Sequence, residues 1–372
     1  MSTDTAGHIA QWWDKVPEPA DGTDKPARIQ CDLCPRHCRL RDGQRGFCYV
    51  RKNVGGNLIL DTYGRSSGFC LDPVEKKPLN HFLPGTSILS FGTAGCNLGC
   101  KFCQNYDIST SRQWDTLSQT GAPDAIAEAA HRNGAKSVAM TYNDPVIFAE
   151  YAIDTARACH ERGIKTVAVT AGYITPVARE EFFDAFDAVN IDLKAFTPEF
   201  YKKLTGADLK VVLDNLEWLA SRRDRREAPW IELTTLVIPG HNDAPEELAE
   251  MCRWVVETLG PDVPHHFSAF HPDHRMRDVP ATPPETLRLA REIALEYGEQ
   301  FPYTGNVHDA DGDATICTSC GEVVIRRDWY ELLEYRLDER GCCASCGTRI
   351  PGVFEEKPGT FGRRRVPVQV AR

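Results

Sequence analysis

Fifteen cysteines occur in this chain of 372 residues, and most of them fall into three groups. The central group reads Cys96-x3-Cys100-x2-Cys103. Three thiolates this close in sequence can bind three irons of a cubane cluster, and the fourth iron then stays open to a small molecule. The simpler alternatives are a zinc site short of one ligand and three unrelated core thiols. We predict a [4Fe–4S] cluster with one open iron.

The C-terminal group contains two Cys-x2-Cys knuckles, Cys317/Cys320 and Cys343/Cys346, and a glycine follows each of them. Such knuckles direct backbone N–H groups at thiolates, and a pair of knuckles holds one tetrahedral Zn²⁺. We predict a structural zinc ribbon. Cys342 is expected outside the site, because only Cys343 has the Cys-x2-Cys spacing.

The N-terminal group comprises Cys31, Cys34, Cys38 and Cys48. Four thiolates can bind zinc or an auxiliary iron–sulfur cluster, and spacing does not decide between them. Zinc is slightly favoured, because a small loop-rich segment needs a metal to fold. His37 is placed beside the ligands. The isolated cysteines are interpreted as small buried apolar residues: Cys70, Cys159 and Cys252.

From about residue 86, short apolar runs alternate with helical segments, and these elements must position the central cysteines. The predicted strands are Ile88–Phe91, Ser137–Met140, Thr166–Val169, Ala188–Ile191, Ile231–Val237 and His266–Ala269. The predicted helices are Ala125–Asn133, Val146–Arg162, Pro176–Phe186, Leu209–Ser221, Pro245–Leu259 and Pro284–Tyr297. This alternation indicates an α/β fold with a parallel sheet, either a full or partial barrel or an open doubly wound sheet. Each of these places chemistry at the carboxyl ends of the strands.

The order of motifs along residues 86–300 resembles that of the radical S-adenosylmethionine (SAM) superfamily, and especially the pyruvate formate-lyase activating enzymes. Cys103-Gln104-Asn105 is similar to the Cys-His-Asn that follows the activase cluster. The resemblance implies a partial (β/α)6 TIM-like barrel with SAM bound to the open iron. By their positions in the family's motifs, further residues are expected to bind SAM: Phe102, Asn143, Asp144, Asp192, Lys194, Val237 and His271.

These correspondences differ in quality. Asn143 and Asp144 lie where the family carries a Gly-Gly-Glu-Pro segment for the SAM amino group, and neither glycine is present here. Asp192 and Lys194 resemble the Asp-Leu-Lys of strand four, although they could equally form an ordinary charge pair. The acidic residue that the activase carries after strand three is missing from 169–172.

The flanking segments extend the resemblance to residues 28–354. The opening at 31–36, the run at 72–79 and the C-terminal ribbon are similar to the radical SAM member of the AmmeMemoRadiSam group. This resemblance implies a Memo-like protein partner and a reducing electron donor of the flavodoxin or ferredoxin type. The expected cofactors are a [4Fe–4S] cluster, SAM and zinc. The expected divisions are a flexible lead-in (1–27), a Cys-rich metal-binding segment (28–85), the barrel (86–305), the ribbon (306–354) and a basic tail (355–372).

Composition narrows the functional classes. The chain is 42% hydrophobic and has a net charge of −10, which fits a folded core and disfavours nucleic acid as a partner. No apolar run approaches the roughly 18 residues of a membrane helix. The first residues lack the basic start and apolar core of a secretory signal, so a cytoplasmic location is expected.

Two functional hypotheses follow from these motifs. In the first, reductive cleavage of SAM yields a 5′-deoxyadenosyl radical that takes hydrogen from a protein glycine or a small molecule. In the second, the chain is a non-enzymatic zinc or iron–sulfur scaffold, or a nucleic-acid-binding module. The first is favoured, because the ordered barrel motifs have no purpose in a scaffold. A thiol oxidoreductase is disfavoured, since no Cys-x2-Cys opens a helix in a βαβ unit.

Overall fold

The computed structural model describes residues 7–16, 28–112, 117, 119–223 and 228–370. The strands are β1 (His8–Ile9), β2 (Trp13–Val16), β3 (Arg28–Cys31), β4 (Cys38–Leu40), β5 (Arg51–Val54), β6 (Asn57–Leu60), β7 (Arg65–Ser66), β8 (Gly68–Pro73), β9 (Ser87–Gly92), β10 (Gln119–Thr120), β11 (Ser137–Met140), β12 (Lys165–Thr170), β13 (Ala188–Asp192), β14 (Trp230–Val237), β15 (His265–Ala269), β16 (Pro302–Gly305), β17 (Thr315–Ile316), β18 (Val323–Asp328), β19 (Glu331–Tyr335) and β20 (Val366–Val368). The α-helices are α1 (Tyr106–Ser109), α2 (Pro123–Arg132), α3 (Ala149–His160), α4 (Pro176–Phe183), α5 (Pro198–Phe200), α6 (Leu209–Ala220), α7 (Pro245–Thr258) and α8 (Pro284–Glu296).

Among the described residues, nine strands form the central sheet in the order β16-β15-β14-β13-β12-β11-β9-β8-β20. Neighbours from β16 to β9 pair in parallel, and β8 and β20 add antiparallel strands at one edge. Every residue of β9, β11 and β15 is buried, as is usual for parallel strands that are covered on both faces. The predicted α/β class with a mainly parallel sheet is confirmed, and the sheet is open in the manner of a partial barrel.

The crossover helices begin where the sequence places prolines. Five described helices start with proline at the first helical position, where its missing N–H costs no hydrogen bond: α2, α4, α5, α7 and α8. Helix α3 buries most of its residues, including Tyr151 and Ile153, against the sheet and its neighbours. Because the strands run in parallel, their carboxyl ends meet at one edge, where loops can build a site.

The segments that flank the barrel join it through hydrogen bonds. Strand β2 pairs with β3, and β1 pairs with β6, so residues 8–9 and 13–16 of the expected lead-in are extended and paired; residues 17–27 lie outside the described part. Strand β20, from the expected basic tail, pairs with β8. The proposed domain boundaries stay predictions. No helix in the described ranges is long and apolar enough to span a bilayer.

The C-terminal cysteines lie outside the strands of a small three-stranded sheet, β17-β18-β19, in the segments that flank those strands. Arg327 of β18 is buried and fastens this sheet to the barrel: its guanidinium donates to the carbonyl of Asn80 at 2.7 Å and to the hydroxyl of Thr315 at 3.0 Å. His81 and Tyr303 continue this contact through a 2.6 Å hydrogen bond. The ribbon therefore packs directly on the barrel.

Candidate active site

A cavity of about 550 Å³ lies at the carboxyl edge of the parallel strands. Its wall combines residues at or beyond the ends of β11 to β16 with the loop that follows β9. This is the edge at which parallel α/β sheets bind ligands. Cavities of this size accept molecules as large as a nucleoside cofactor.

Most of the predicted cofactor residues converge on this cavity. Those that line it are Cys96, Cys100, Cys103, Phe102, Asn143, Asp144, Asp192 and Lys194. Two predicted residues do not line it. Val237 is fully buried and packs with Leu248 and Leu287, whereas His271 is exposed on the loop after β15. Their contacts with SAM stay predictions.

The loop that carries the three cysteines is held closely at its start. Gly95 has φ = 79°, and a Cβ added there would lie 2.0 Å from the carbonyl oxygen of Cys48, so only glycine fits. Asn143 fastens the same stretch: its Oδ1 accepts from the backbone N–H of Thr93 at 2.9 Å, and its Nδ2 donates to the carbonyl of Gly95 at 2.9 Å. Asn143 thus orients the cysteine loop.

A π-helical turn, Tyr201–Thr205, supports the loop from its other side. The backbone N–H of Gly99 donates to the carbonyl of Thr205, and that of Lys101 donates to the carbonyl of Leu204, each at 2.8 Å. π-Helical turns occur frequently at functional sites. The middle of the cysteine loop is therefore fixed by backbone hydrogen bonds.

The three thiols are partly buried. Burial raises the pKa of Cys96 and raises that of Cys100 to about 12, although the nearby Lys194 ammonium opposes the shift at Cys100. Cys103 Sγ lies 3.2 Å from the hydroxyl of Ser109. Phe102 is 4% exposed, and its ring centroid is 5.8 Å from that of Phe200. Thiols in such a setting become thiolates when a bound metal supplies positive charge.

Asp192 and Lys194 face the cavity together, as residues two apart at a strand end should. Lys194 Nζ lies 2.7 Å from Asp192 Oδ2, and the side chains are 13% and 32% exposed. Burial alone would lower the pKa of Lys194, but Asp192 and then Cys100 raise it above its ordinary value. Lys194 is therefore a cation held beside the cysteine loop.

Asp144 is bound mainly by the protein itself. One carboxylate oxygen accepts from the backbone N–H of Val146 and the hydroxyl of Thr170, and the other accepts from the N–H of Ala171, at 2.9–3.0 Å. Burial raises the pKa of Asp144 despite these bonds. Its role in the structure is to cap the turn after β11 and join it to the end of β12.

Charged residues that the sequence analysis did not assign to a site lie on and behind the opposite wall. Glu75, Lys76 and Lys77 line the cavity, and Asp72 lies behind them. Asp72 is buried and accepts from Lys77 at 2.7 Å, Lys76 at 3.0 Å and the Tyr142 hydroxyl at 3.1 Å. Burial alone would raise the pKa of Asp72, but the Lys77 ammonium lowers it to about 2. Burial raises the pKa of Glu75 to about 7. The dense charges of 72–77 were the available signal in the sequence.

A second missed group lies deeper in the sheet. Glu232 of β14 is buried; it accepts from His266 Nε2 at 2.7 Å and from the backbone N–H groups of Asn80 and His81 at 2.9 and 2.8 Å. Burial alone would raise the pKa of Glu232, but these bonds keep it below its ordinary value. His266 also lines the cavity. A carboxylate inside an otherwise apolar strand was the available signal.

The C-terminal quartet has the geometry of a single-ion site. Its ligand atoms all lie within 4.8 Å of one another, with sulfur–sulfur distances of 3.6 Å for Cys317 and Cys346 and 3.8 Å for Cys320 and Cys343. A tetrahedral Zn²⁺ with Zn–S bonds of about 2.3 Å spaces its sulfurs by about 3.8 Å. Cys342 lies outside this group.

At the tip between β18 and β19, Trp329 and Tyr330 reach the cavity wall.

The N-terminal quartet lies in one place as well. Cys31, Cys34, Cys38 and Cys48 line a small second cavity, and Arg36 and Arg51 share its wall. Cys31 and Cys38 are paired residues of β3 and β4.

Comparison with known proteins agrees with this geometry. Residues 91–254 match the family model described as the radical SAM superfamily. The chain is 38% identical over 324 residues to the uncharacterized protein MJ0808 of Methanocaldococcus jannaschii, covering 87% of this chain and 95% of the relative. It is 26% identical over 244 residues to pyruvate formate-lyase 1-activating enzyme of Escherichia coli K12, covering 59% of this chain and 93% of that enzyme.

Among solved structures, a radical SAM methyltransferase from Sphaerobacter thermophilus aligns with a TM-score of 0.46 and 16% identity, covering 65% of this chain and 71% of that one. The family model spans three parts of the cavity wall: the cysteine loop, the turn after β11 and the Asp192–Lys194 pair. The chain belongs to the radical SAM superfamily and is related to the pyruvate formate-lyase activating enzymes.

Proposed function

We propose that this radical SAM enzyme binds a [4Fe–4S] cluster through Cys96, Cys100 and Cys103 and cleaves SAM reductively to a 5′-deoxyadenosyl radical that takes hydrogen from a substrate. The observation that carries the proposal is the convergence of the three thiols and the Asp192–Lys194 pair on one cavity.

The residues fit these cofactors. Among the described residues, the sulfurs of Cys96, Cys100 and Cys103 do not all lie within 4.8 Å of one another, the spacing that suits a single ion. This wider spacing agrees with three thiolates that each bind a separate iron. The cavity of about 550 Å³ has room for SAM beside the cysteine loop. Lys194 supplies a cation for the methionine carboxylate, and Asp192 an anion for the amine or the ribose.

When bound, the cluster would supply the electron that breaks a sulfonium C–S bond of SAM. The chain's own residues orient the reactants and exclude water. Asn143 and the π-helical turn hold the cysteine loop, and Lys194 holds one end of SAM. Trp329 and Tyr330 cover part of the cavity. Such enclosure keeps a reactive radical away from water, so that it reacts with its substrate and with nothing else.

The finer assignments remain proposals. The substrate is a protein glycine, as for the activases, or a small molecule, and a flavodoxin- or ferredoxin-like protein donates the electron. The C-terminal quartet binds a structural zinc ion. A Memo-like partner and a cytoplasmic location stay predictions from the sequence.

Anaerobic reconstitution tests the proposal. The full chain receives iron and sulfide, then SAM and dithionite, and 5′-deoxyadenosine is measured by chromatography. We expect 5′-deoxyadenosine from the native chain and none from Cys100→Ala. Cys252→Ala is the matched control, because Cys252 is fully buried away from the cavity and should not alter product formation. A native chain that retains a complete cluster and forms no 5′-deoxyadenosine would refute the proposal.

A further inference from the structure

The N-terminal cysteines are spaced differently from the zinc-like quartet. The C-terminal sulfurs all lie within 4.8 Å of one another, whereas no three ligand atoms of Cys31, Cys34, Cys38 and Cys48, all four of them described, meet that limit. A single Zn²⁺ requires sulfurs about 3.8 Å apart. The N-terminal thiols are therefore spread more widely than those of the ribbon.

The central cysteines provide an internal comparison. Their three sulfurs also exceed the single-ion limit, and their motif is the one by which the superfamily is recognised. In a polynuclear cluster each iron is bound by one or two thiolates. The thiolate sulfurs of the whole site therefore lie farther apart than they do around a single ion. The N-terminal quartet thus resembles the central group and differs from the ribbon.

We propose that Cys31, Cys34, Cys38 and Cys48 bind an iron–sulfur cluster and not a zinc ion.

Backbone donors surround these four thiols. The backbone N–H groups of Leu33, Arg36 and Val50 lie near the thiols of the cysteines two residues before them, Cys31, Cys34 and Cys48. The N–H of Phe47 donates to Cys38 Sγ at 3.4 Å. Hydrogen bonds to the sulfurs stabilise and tune iron–sulfur clusters. Each of the four thiols has a backbone N–H nearby, and that of Phe47 makes a hydrogen bond.

Two guanidinium groups add positive charge to the same cavity. Arg51 is 1% exposed and interacts electrostatically with Cys31 and Cys48, while Glu150 balances its charge. Arg36 Nη2 is buried and has no hydrogen-bond acceptor among the described residues, although it lines the cavity. A cluster sulfide or a metal-bound thiolate would provide an acceptor for this nitrogen.

The site adjoins the loop that carries the central cysteines. Arg36 Nε donates to the carbonyl of Asn97 at 2.9 Å, and the carbonyl of Cys48 packs against Gly95. A redox-active cofactor here would stand beside the place where SAM cleavage consumes an electron. That relation rests on the proposed function, whereas the identity of the bound cofactor does not.

Metal content of the full chain tests the proposal. The native chain is reconstituted anaerobically, and its iron, acid-labile sulfide and zinc are measured. Two clusters predict about six to eight irons and about one zinc per chain, whereas a zinc quartet predicts about four irons and about two zincs. The second result would overturn the proposal without any variant.

Variants then locate the iron. Cys96→Ala/Cys100→Ala/Cys103→Ala should keep about two to four irons and, after dithionite, give an electron paramagnetic resonance signal that SAM does not change. Adding Cys31→Ala and Cys34→Ala should remove this iron and leave the ribbon's zinc, which also reports that the chain is folded. Iron that persists without Cys31 and Cys34 would refute the assignment. Failure to form 5′-deoxyadenosine alongside two clusters would instead refute only the proposed function.

Discussion

Replacing Lys194 by methionine removes the ammonium group and keeps most of the length of the side chain. If Lys194 binds the SAM carboxylate, Lys194→Met should weaken SAM binding and leave the iron content unchanged. The effect should be large because the side chain is only 13% exposed, so water screens the interaction little.

The magnitude follows from the type of bond. A charge-assisted hydrogen bond contributes about 1.5–3 kcal/mol, and about 1.4 kcal/mol corresponds to a tenfold change in Kd. We therefore expect Kd to rise about 10- to 150-fold. Some of this loss reflects Asp192, which loses its partner at 2.7 Å.

Equilibrium dialysis of labelled SAM against the reconstituted protein measures Kd directly. Lys203→Met is the matched control, because Lys203 lies on the neighbouring π-helical turn, pairs with Glu199 and is 67% exposed. Its Kd should equal that of the native chain. If Lys194→Met is folded, holds its iron and binds SAM normally, Asp192 and Lys194 are a structural ion pair.

Three further predictions concern stability and the ribbon. Glu150→Gln leaves the buried Arg51 guanidinium without its counter-charge and should lower the free energy of unfolding by about 3–5 kcal/mol in urea titrations; an unchanged midpoint would contradict this. Cys317→Ser should release the zinc and increase hydrogen exchange across 315–350, whereas Cys342→Ser should do neither. Burial raises the pKa of Glu75 from 4.5 to about 7, so the folded state holds the Glu75 proton more tightly than the unfolded state does. The protonated carboxyl therefore stabilises the fold fully below pH 4.5, and this contribution is lost as the pH rises through 7. Native stability should therefore fall relative to Glu75→Gln over that window in urea titrations; parallel curves would refute it.

The local elements could be predicted because their signals are local. Helix α7 spans Pro245–Thr258 where residues 245–259 were expected, and β11 coincides with its prediction. Proline at the first turn and short apolar runs mark such boundaries within a few residues. The outer strands could not be found in this way. β8 and β16 pair with the strands next to them in the chain, and β20 pairs with the distant β8, but these short sequences carry no period that reveals a partner.

The sequence by itself determined which residues could hold metals, because the spacing of thiols within a loop limits which ions they can share. It also determined that the strand ends would meet, since alternating strands and helices form a parallel sheet. Only the tertiary structure decided what else faces the cavity: Glu75 and Lys77 from before the barrel, His266 with Glu232 behind it, and Trp329 from the ribbon. Contacts across more than a hundred residues depend on packing, which local patterns do not encode.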